Sequence, residues 1–180
     1  VLKAVLIDHH DSFTFNIKAW LKSRFDISVV DCSAVESMSA DDFDLVIFSP
    51  GPKTPSDYPQ SKAFLASLAA DKPVLGICLG MQMMNEIEKG TVLAYYPPLH
   101  GKTSRLVSNT THFNHVLVAR YHSLKCEVPE SFDILATSEN IPMIVRHKNK
   151  KWLGMQFHPE SFLTEKPEIF LQAAVDLCSL

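Results

Sequence analysis

The residues of this chain best placed to do chemistry are Cys78, His158 and Glu160. Cys78 lies in Gly76-Ile77-Cys78-Leu79-Gly80-Met81-Gln82, after a short apolar run opened by Pro73 and before Met83-Met84-Asn85-Glu86-Ile87-Glu88, which reads as a helix. Glycines on both flanks let the backbone turn sharply and let a substrate approach. A helix starting just after the cysteine puts the sulfur at its positive end, which favours the reactive thiolate. This is the logic of the strand-to-helix elbow that carries the serine of many hydrolases. The plainer alternative is a buried cysteine packed between small residues, and a histidine elsewhere in the chain has to decide. His158 closes Gly154-Met155-Gln156-Phe157-His158-Pro159-Glu160-Ser161, with an acid two residues on. Pro159 keeps His158 out of the helical region, and extended backbone puts residues i and i+2 on one side. The Glu160 carboxylate can then hold one imidazole nitrogen and leave the other for the thiol. In chain order, Cys78, His158 and Glu160 make a nucleophilic triad.

The elements that must carry these groups follow from periodicity. Lys3 to Asp8 reads as a buried parallel strand, followed by helix-capping Asp11-Ser12 and a stripe of Phe13, Ile17, Trp20 and Leu21. Further strands are expected over Ile27 to Asp31, Phe43 to Ser49 and Val74 to Cys78, with a helix over Pro59 to Ala70 opened by proline. This order implies a parallel, doubly wound sheet. Between strand and helix, Ser49-Pro50-Gly51-Pro52-Lys53-Thr54-Pro55 has three prolines in seven residues. It is either a stiff surface loop or a rigid wall for a ligand, because ligands of open α/β sheets sit beyond the strands' carboxyl ends. After Gly90 the style becomes antiparallel, with short runs at Thr91 to Ala94, Thr103 to Val107, Val116 to Tyr121, Phe132 to Thr137, Met143 to His147 and Trp152 to Phe157. Pro167 opens a last helix with Ile169, Phe170, Ala173, Ala174 and Leu177 on its buried face.

Composition narrows the classes. A chain of 180 residues, 46% apolar and 21% charged, supports a sizeable core, and the whole of 1–180 reads as a single domain. A net charge of −3 without a basic stripe argues against a nucleic-acid binder or a membrane-surface protein. Lys148-Asn149-Lys150-Lys151 is the one basic run and reads as a solvated turn. No apolar run is long enough to span a membrane, and the N-terminus lacks a signal-type pattern. Cys32, Cys78, Cys126 and Cys178 are widely spaced and read as reduced thiols of a cytoplasmic protein. His112 and His115 lack a nearby acid or thiol, and His9-His10 reads as loop, so no metal site is expected.

These pieces resemble the class I, or triad, glutamine amidotransferases, and within them the small subunits of anthranilate synthase and aminodeoxychorismate synthase. The elbow and His158-Pro159-Glu160 carry the class. Asp11-Ser12-Phe13-Thr14, His100-Gly101-Lys102-Thr103-Ser104 and Arg120-Tyr121-His122-Ser123-Leu124 point to the chorismate-linked branch. The resemblance implies a flavodoxin-like three-layer α/β fold, with a mostly parallel sheet and an antiparallel portion. It also implies hydrolysis of the glutamine side-chain amide without a cofactor. Cys78 would form the thioester, and His158 would move the protons, with Glu160 holding its ring. The backbone N–H groups of Leu79 and Gly51 would meet the oxyanion. Gly51, Pro52, Lys53, Gln82, Ser123 and Leu124 would line the site for L-glutamine. His100, Gly101 and Lys102 would lie near a chorismate-binding synthase large subunit that receives the ammonia, and His122 would be structural or interfacial.

Three departures from the family pattern stand out. Lys53 replaces the second glycine of Ser-Pro-Gly-Pro-Gly, Met81 replaces a histidine after the elbow, and Val107 to Val116 is short. Two other readings compete with an ammonia-supplying subunit: a regulatory module that has lost turnover, and a stand-alone hydrolase of the same fold. Anthranilate synthase component II is the favoured branch, with the aminodeoxychorismate branch or a dual role as the alternative.

Overall fold

The computed structural model describes residues 1–179. Its strands are β1 (Leu2–Asp8), β2 (Phe25–Asp31), β3 (Leu45–Phe48), β4 (Val74–Ile77), β5 (Thr91–Ala94), β6 (Lys102–Arg105), β7 (Leu117–Arg120), β8 (Leu124–Glu127), β9 (Phe132–Ser138), β10 (Ile141–His147) and β11 (Trp152–Met155). The helices are α1 (Thr14–Leu21), α2 (Pro59–Ser67), α3 (Leu79–Ile87) and α4 (Pro167–Ser179). A seven-stranded sheet runs in the order β2-β1-β3-β4-β11-β10-β9, and β5-β8 and β6-β7 form separate two-stranded pairs. Strands β2, β1, β3, β4 and β11 are mutually parallel; β10 pairs antiparallel with β11, and β9 pairs antiparallel with β10.

Burial on both faces explains the near-continuous apolar sequence of the central strands. Along β1, Ala4 and Leu6 pack with Ile17 and Leu21 of α1 and with Phe170 and Ala174 of α4. Val5 and Ile7 face the opposite side, with Leu65 of α2 and Met83 and Met84 of α3. The result is helix, sheet, helix, the flavodoxin-like arrangement.

Several expectations change. The run at Trp152 belongs to the parallel part of the sheet, since β11 lies against β4 in parallel and only its other edge meets β10 in antiparallel fashion. Strand β8, Leu124-Lys125-Cys126-Glu127, was not among the expected strands although its residues alternate apolar and polar; it pairs antiparallel with β5. The first helix is entered through Phe13, with the Asp11 carboxylate accepting the Phe13 N–H in a preceding turn. Helix α2 ends at Ser67 rather than Ala70. In the basic run, Lys150 is no free solvated side chain: it pairs with Glu88 and lies 4.2 Å over the Trp152 ring. His9 is not loop either. It is fully buried, with Nδ1 3.1 Å from Ser49 Oγ and Nε2 2.9 Å from Ser61 Oγ. No described helix is long and apolar enough to cross a membrane.

The contact that fixes the reactive turn is glycine on glycine. A Cβ on Gly76 would stand 2.6 Å from the Gly80 carbonyl carbon, and one on Gly80 would stand 2.3 Å from the Phe48 carbonyl oxygen. Strand β4, strand β3 and the start of α3 can therefore meet only through hydrogen. Because the Gly80 clash is with backbone, Gly80→Ala is expected to lower stability by about 1–3 kcal/mol, the range typical of overpacking. A shifted chemical-denaturation midpoint would show it.

Candidate active site

Cys78 caps α3 from the end of β4 with φ +53° and ψ −102°, a backbone region that residues with side chains rarely occupy. Its N–H donates to the Met155 carbonyl at 2.7 Å, and its own carbonyl accepts the Gln82 N–H at 3.1 Å. These bonds hold the turn in a conformation that costs about 1–3 kcal/mol and that clusters at functional positions. The side chain is 7% exposed and opens on a cavity of about 110 Å³. Gly51, Pro52, Lys53, Cys78, Gln82, Tyr121, His122, Ser123 and Leu124 line that cavity. The proline loop, the elbow and the β7-β8 connection, distant in sequence, thus converge on one thiol.

His158 follows β11 and is held there by its neighbours. Its N–H donates to the Ala119 carbonyl at 2.9 Å, and its carbonyl accepts the Thr164 hydroxyl at 2.7 Å. Nδ1 donates to Glu160 Oε1 at 2.6 Å, and both side chains are almost wholly shielded from solvent. Nε2 is buried without a hydrogen-bond partner, while the Cys78 sulfur is turned toward the Tyr121 carbonyl at 3.8 Å and the Gln156 amide at 3.5 Å. Burial pushes the His158 pKa down, but the nearby Cys78 sulfur and the hydrogen-bonded Glu160 carboxylate outweigh it and raise it to about 10. That direction favours the charged imidazolium at this position. Phe13 and Tyr121 pack on the ring, with centroids 5.0 and 5.1 Å away.

The two residues whose N–H groups are expected to meet an oxyanion, Gly51 and Leu79, are packed against each other. A Cβ on Gly51 would sit 2.8 Å from Leu79 Cδ2 and 2.7 Å from His9 Cβ, so this loop must be glycine to approach the elbow. Leu79 is the first residue of α3, where an N–H has no partner within its helix. Beside Gly51, Lys53 has φ +68°, which explains physically why glycine suits that place.

A profile of the family "Glutamine amidotransferase class-I" matches residues 5–177. The chain belongs to the class I glutamine amidotransferases. It is 35% identical over 173 residues to anthranilate synthase component 2 of Lactococcus lactis, covering 89% of this chain and 87% of that one. It is 33% identical over 180 residues to aminodeoxychorismate synthase component 2 of Escherichia coli, covering 90% and 93%. A solved glutamine amidotransferase from Thermotoga maritima superposes with a TM-score of 0.71 at 18% identity, covering 99% of this chain and 94% of that one. At that identity the likeness bears on the fold.

Behind the amidotransferase cavity stands a buried group that sequence reading left without a role, Gln156. Gln156 bridges Gln82, whose amide donates to its carbonyl at 3.3 Å, and the Cys78 sulfur. Its place two residues before His158 on the same extended run was the available signal. Gln82, which lines the cavity itself, is thereby tied to the Cys78 sulfur through Gln156. Met81 is fully buried, on the side of α3 packed into the core. Of the expected partner-facing stretch, His100, Gly101 and Lys102 are exposed, and Gly101 lies against Tyr121. The described His, Cys and acidic side chains form one cluster of ligand type, His10, Asp31 and Cys32, and it stands outside the cavity.

His9 ties the proline loop to the core, and its charge state sets an acid limit. Burial lowers its pKa from 6.5 to about 4. As pH falls, the unfolded chain takes up this proton first, so the stability tied to neutral His9 is whole above about 6.5 and lost as pH falls toward 4. Urea midpoints are expected to drop across that window. His9→Gln, which cannot titrate, should flatten the drop without removing it, because His122 is also lowered to about 4 by burial and by the Arg120 charge.

Proposed function

We propose that this amidotransferase is the glutaminase subunit of a chorismate-using synthase, with Cys78, His158 and Glu160 as its triad. The observation that carries the reading is the strained elbow cysteine sharing one small cavity with the proline loop and the Ser123-Leu124 backbone. The Cys78 thiolate attacks the side-chain amide carbon of glutamine, and the developing oxyanion is met by the N–H groups of Leu79 and Gly51. His158 gives its proton to the departing nitrogen, releasing ammonia and leaving a glutamyl thioester. The neutral ring then takes a proton from water, which opens the thioester to glutamate. Glu160 keeps Nδ1 protonated and turns Nε2 toward these steps. Gly51, Pro52, Gln82, Ser123 and Leu124 shape the pocket, and the Lys53 ammonium at its rim attracts the substrate carboxylate. Such a partly screened pair amounts to about 1 kcal/mol. Lys53→Gly is accordingly expected to raise KM for glutamine several-fold while easing the backbone.

His100, Gly101 and Lys102 are read as part of the surface that meets the synthase subunit, in a cytoplasmic complex. Relatives named for anthranilate synthase support component II of that enzyme as the first assignment. The Escherichia coli relative supports aminodeoxychorismate synthase as the second. Mixing the chain with each large subunit and following anthranilate against aminodeoxychorismate separates the two. With the true partner, Cys78→Ser is expected to abolish product formation from glutamine and leave formation from ammonium salt intact. Glu160→Gln should reduce the glutamine-driven rate by about 10²–10⁴-fold, the usual range for disabling general acid–base transfer. Glutamine-driven product from Cys78→Ser would overturn the triad.

A further inference from the structure

Arg120 is 1% exposed, and a buried cation in a protein interior demands a partner. Its partner is Glu139, 60% exposed, whose Oε2 accepts from Arg120 Nη1 at 2.7 Å and from the Tyr95 hydroxyl at 3.1 Å. Glu139 and Asn140 form the two-residue turn between β9 and β10, both at positive φ, +51° and +61°. Such turns favour Asn, Asp and Gly, and glutamate is a poor choice on backbone grounds. Its contacts supply the reason for it.

From Arg120 the contacts continue into the cavity. Arg120 Nε donates to His122 Nε2 at 3.0 Å, which obliges His122 to carry its proton on Nδ1. Nδ1 then donates to the Leu124 carbonyl at 2.8 Å. Tyr95 closes the ring from the other side, its N–H donating to the Ser123 carbonyl at 2.7 Å while its hydroxyl holds Glu139. Ser123 and Leu124 are thus held at their carbonyls by groups that converge on one carboxylate, which leaves their other backbone groups fixed at the cavity wall.

Resting on the reading of this cavity as the glutamine site, we propose that Glu139 is a positioning residue for glutamine binding, acting through Arg120 and His122 on the Ser123-Leu124 backbone. It touches neither substrate nor thiol.

The test is steady-state kinetics on the chain bound to its synthase subunit. Glu139→Gln is expected to raise KM for glutamine about fivefold to tenfold, the scale of one weakened hydrogen bond. It should leave kcat within about twofold, and it should leave ammonium-driven synthesis unchanged. His122→Asn keeps a donor for the Leu124 carbonyl but removes the acceptor for Arg120. In that background Glu139→Gln should change KM no further, a non-additivity that general destabilisation would not produce. An unchanged KM in Glu139→Gln, a parallel loss in kcat, or additive effects in the double variant would overturn the proposal alone. A wild-type complex that ignores glutamine while using ammonium salt would overturn the glutaminase reading and this proposal with it.

Discussion

Cys78 faces the cavity only while its backbone stays at positive φ, and nothing in its own side chain favours that conformation. The constraint is met from outside. Gly76 and Gly80 remove the two Cβ atoms that would separate β4 from α3 and α3 from β3. The parallel pairing of β4 with β11 brings the Met155 carbonyl under the Cys78 N–H. That same pairing fixes where β11 ends, and hence where His158 begins. The elbow and His158 are therefore placed by one sheet register: a slip of β11 against β4 would undo both together.

Several polar groups around the thiol have their protons placed by a neighbour. Glu160 accepts from Nδ1 of His158, and Arg120 and Leu124 dictate the tautomer of His122. Ser49 gives its hydroxyl proton to the Pro50 carbonyl, so His9 must donate to it from Nδ1. Three buried histidines thus have three different duties. The neighbours of His158 favour its charged form, whereas burial favours the neutral form of His9 and His122, the struts of the two loops that wall the cavity. Buried groups of this kind rigidify a site when fully paired and are costly when a partner is lost.

Much of this was legible in the chain because it depended on local chemistry. The glycine-flanked cysteine, the proline after His158 and the three-proline loop each restrict backbone in ways that survive any fold. The central strands were readable because burial on both faces leaves an unbroken apolar run. What escaped was set by distant partners. Strand β8 alternates over only four residues, Leu124 to Glu127, too few to stand out before β5 is folded against it. His9 looks like a loop residue until Ser49 and Ser61, some forty and fifty residues on, are folded against it. Gln156 gave a weak signal as a polar residue on a buried run, and Glu139 gave none, since its value lies in an arginine on another strand. The positive φ of Lys53 shows the converse: a family pattern marked the position, and geometry supplied the reason.

The central claim is that glutamine is opened by covalent attack of Cys78. Acid quenching of the working complex with saturating glutamine, followed by mass spectrometry of the digested chain, tests it most directly. The account predicts a glutamyl group on the peptide containing Cys78 and on no other cysteine, absent when chorismate is supplied with ammonium salt in place of glutamine. Rapid glutamine consumption with an unmodified Cys78, or with the adduct on Cys32, Cys126 or Cys178, would contradict it.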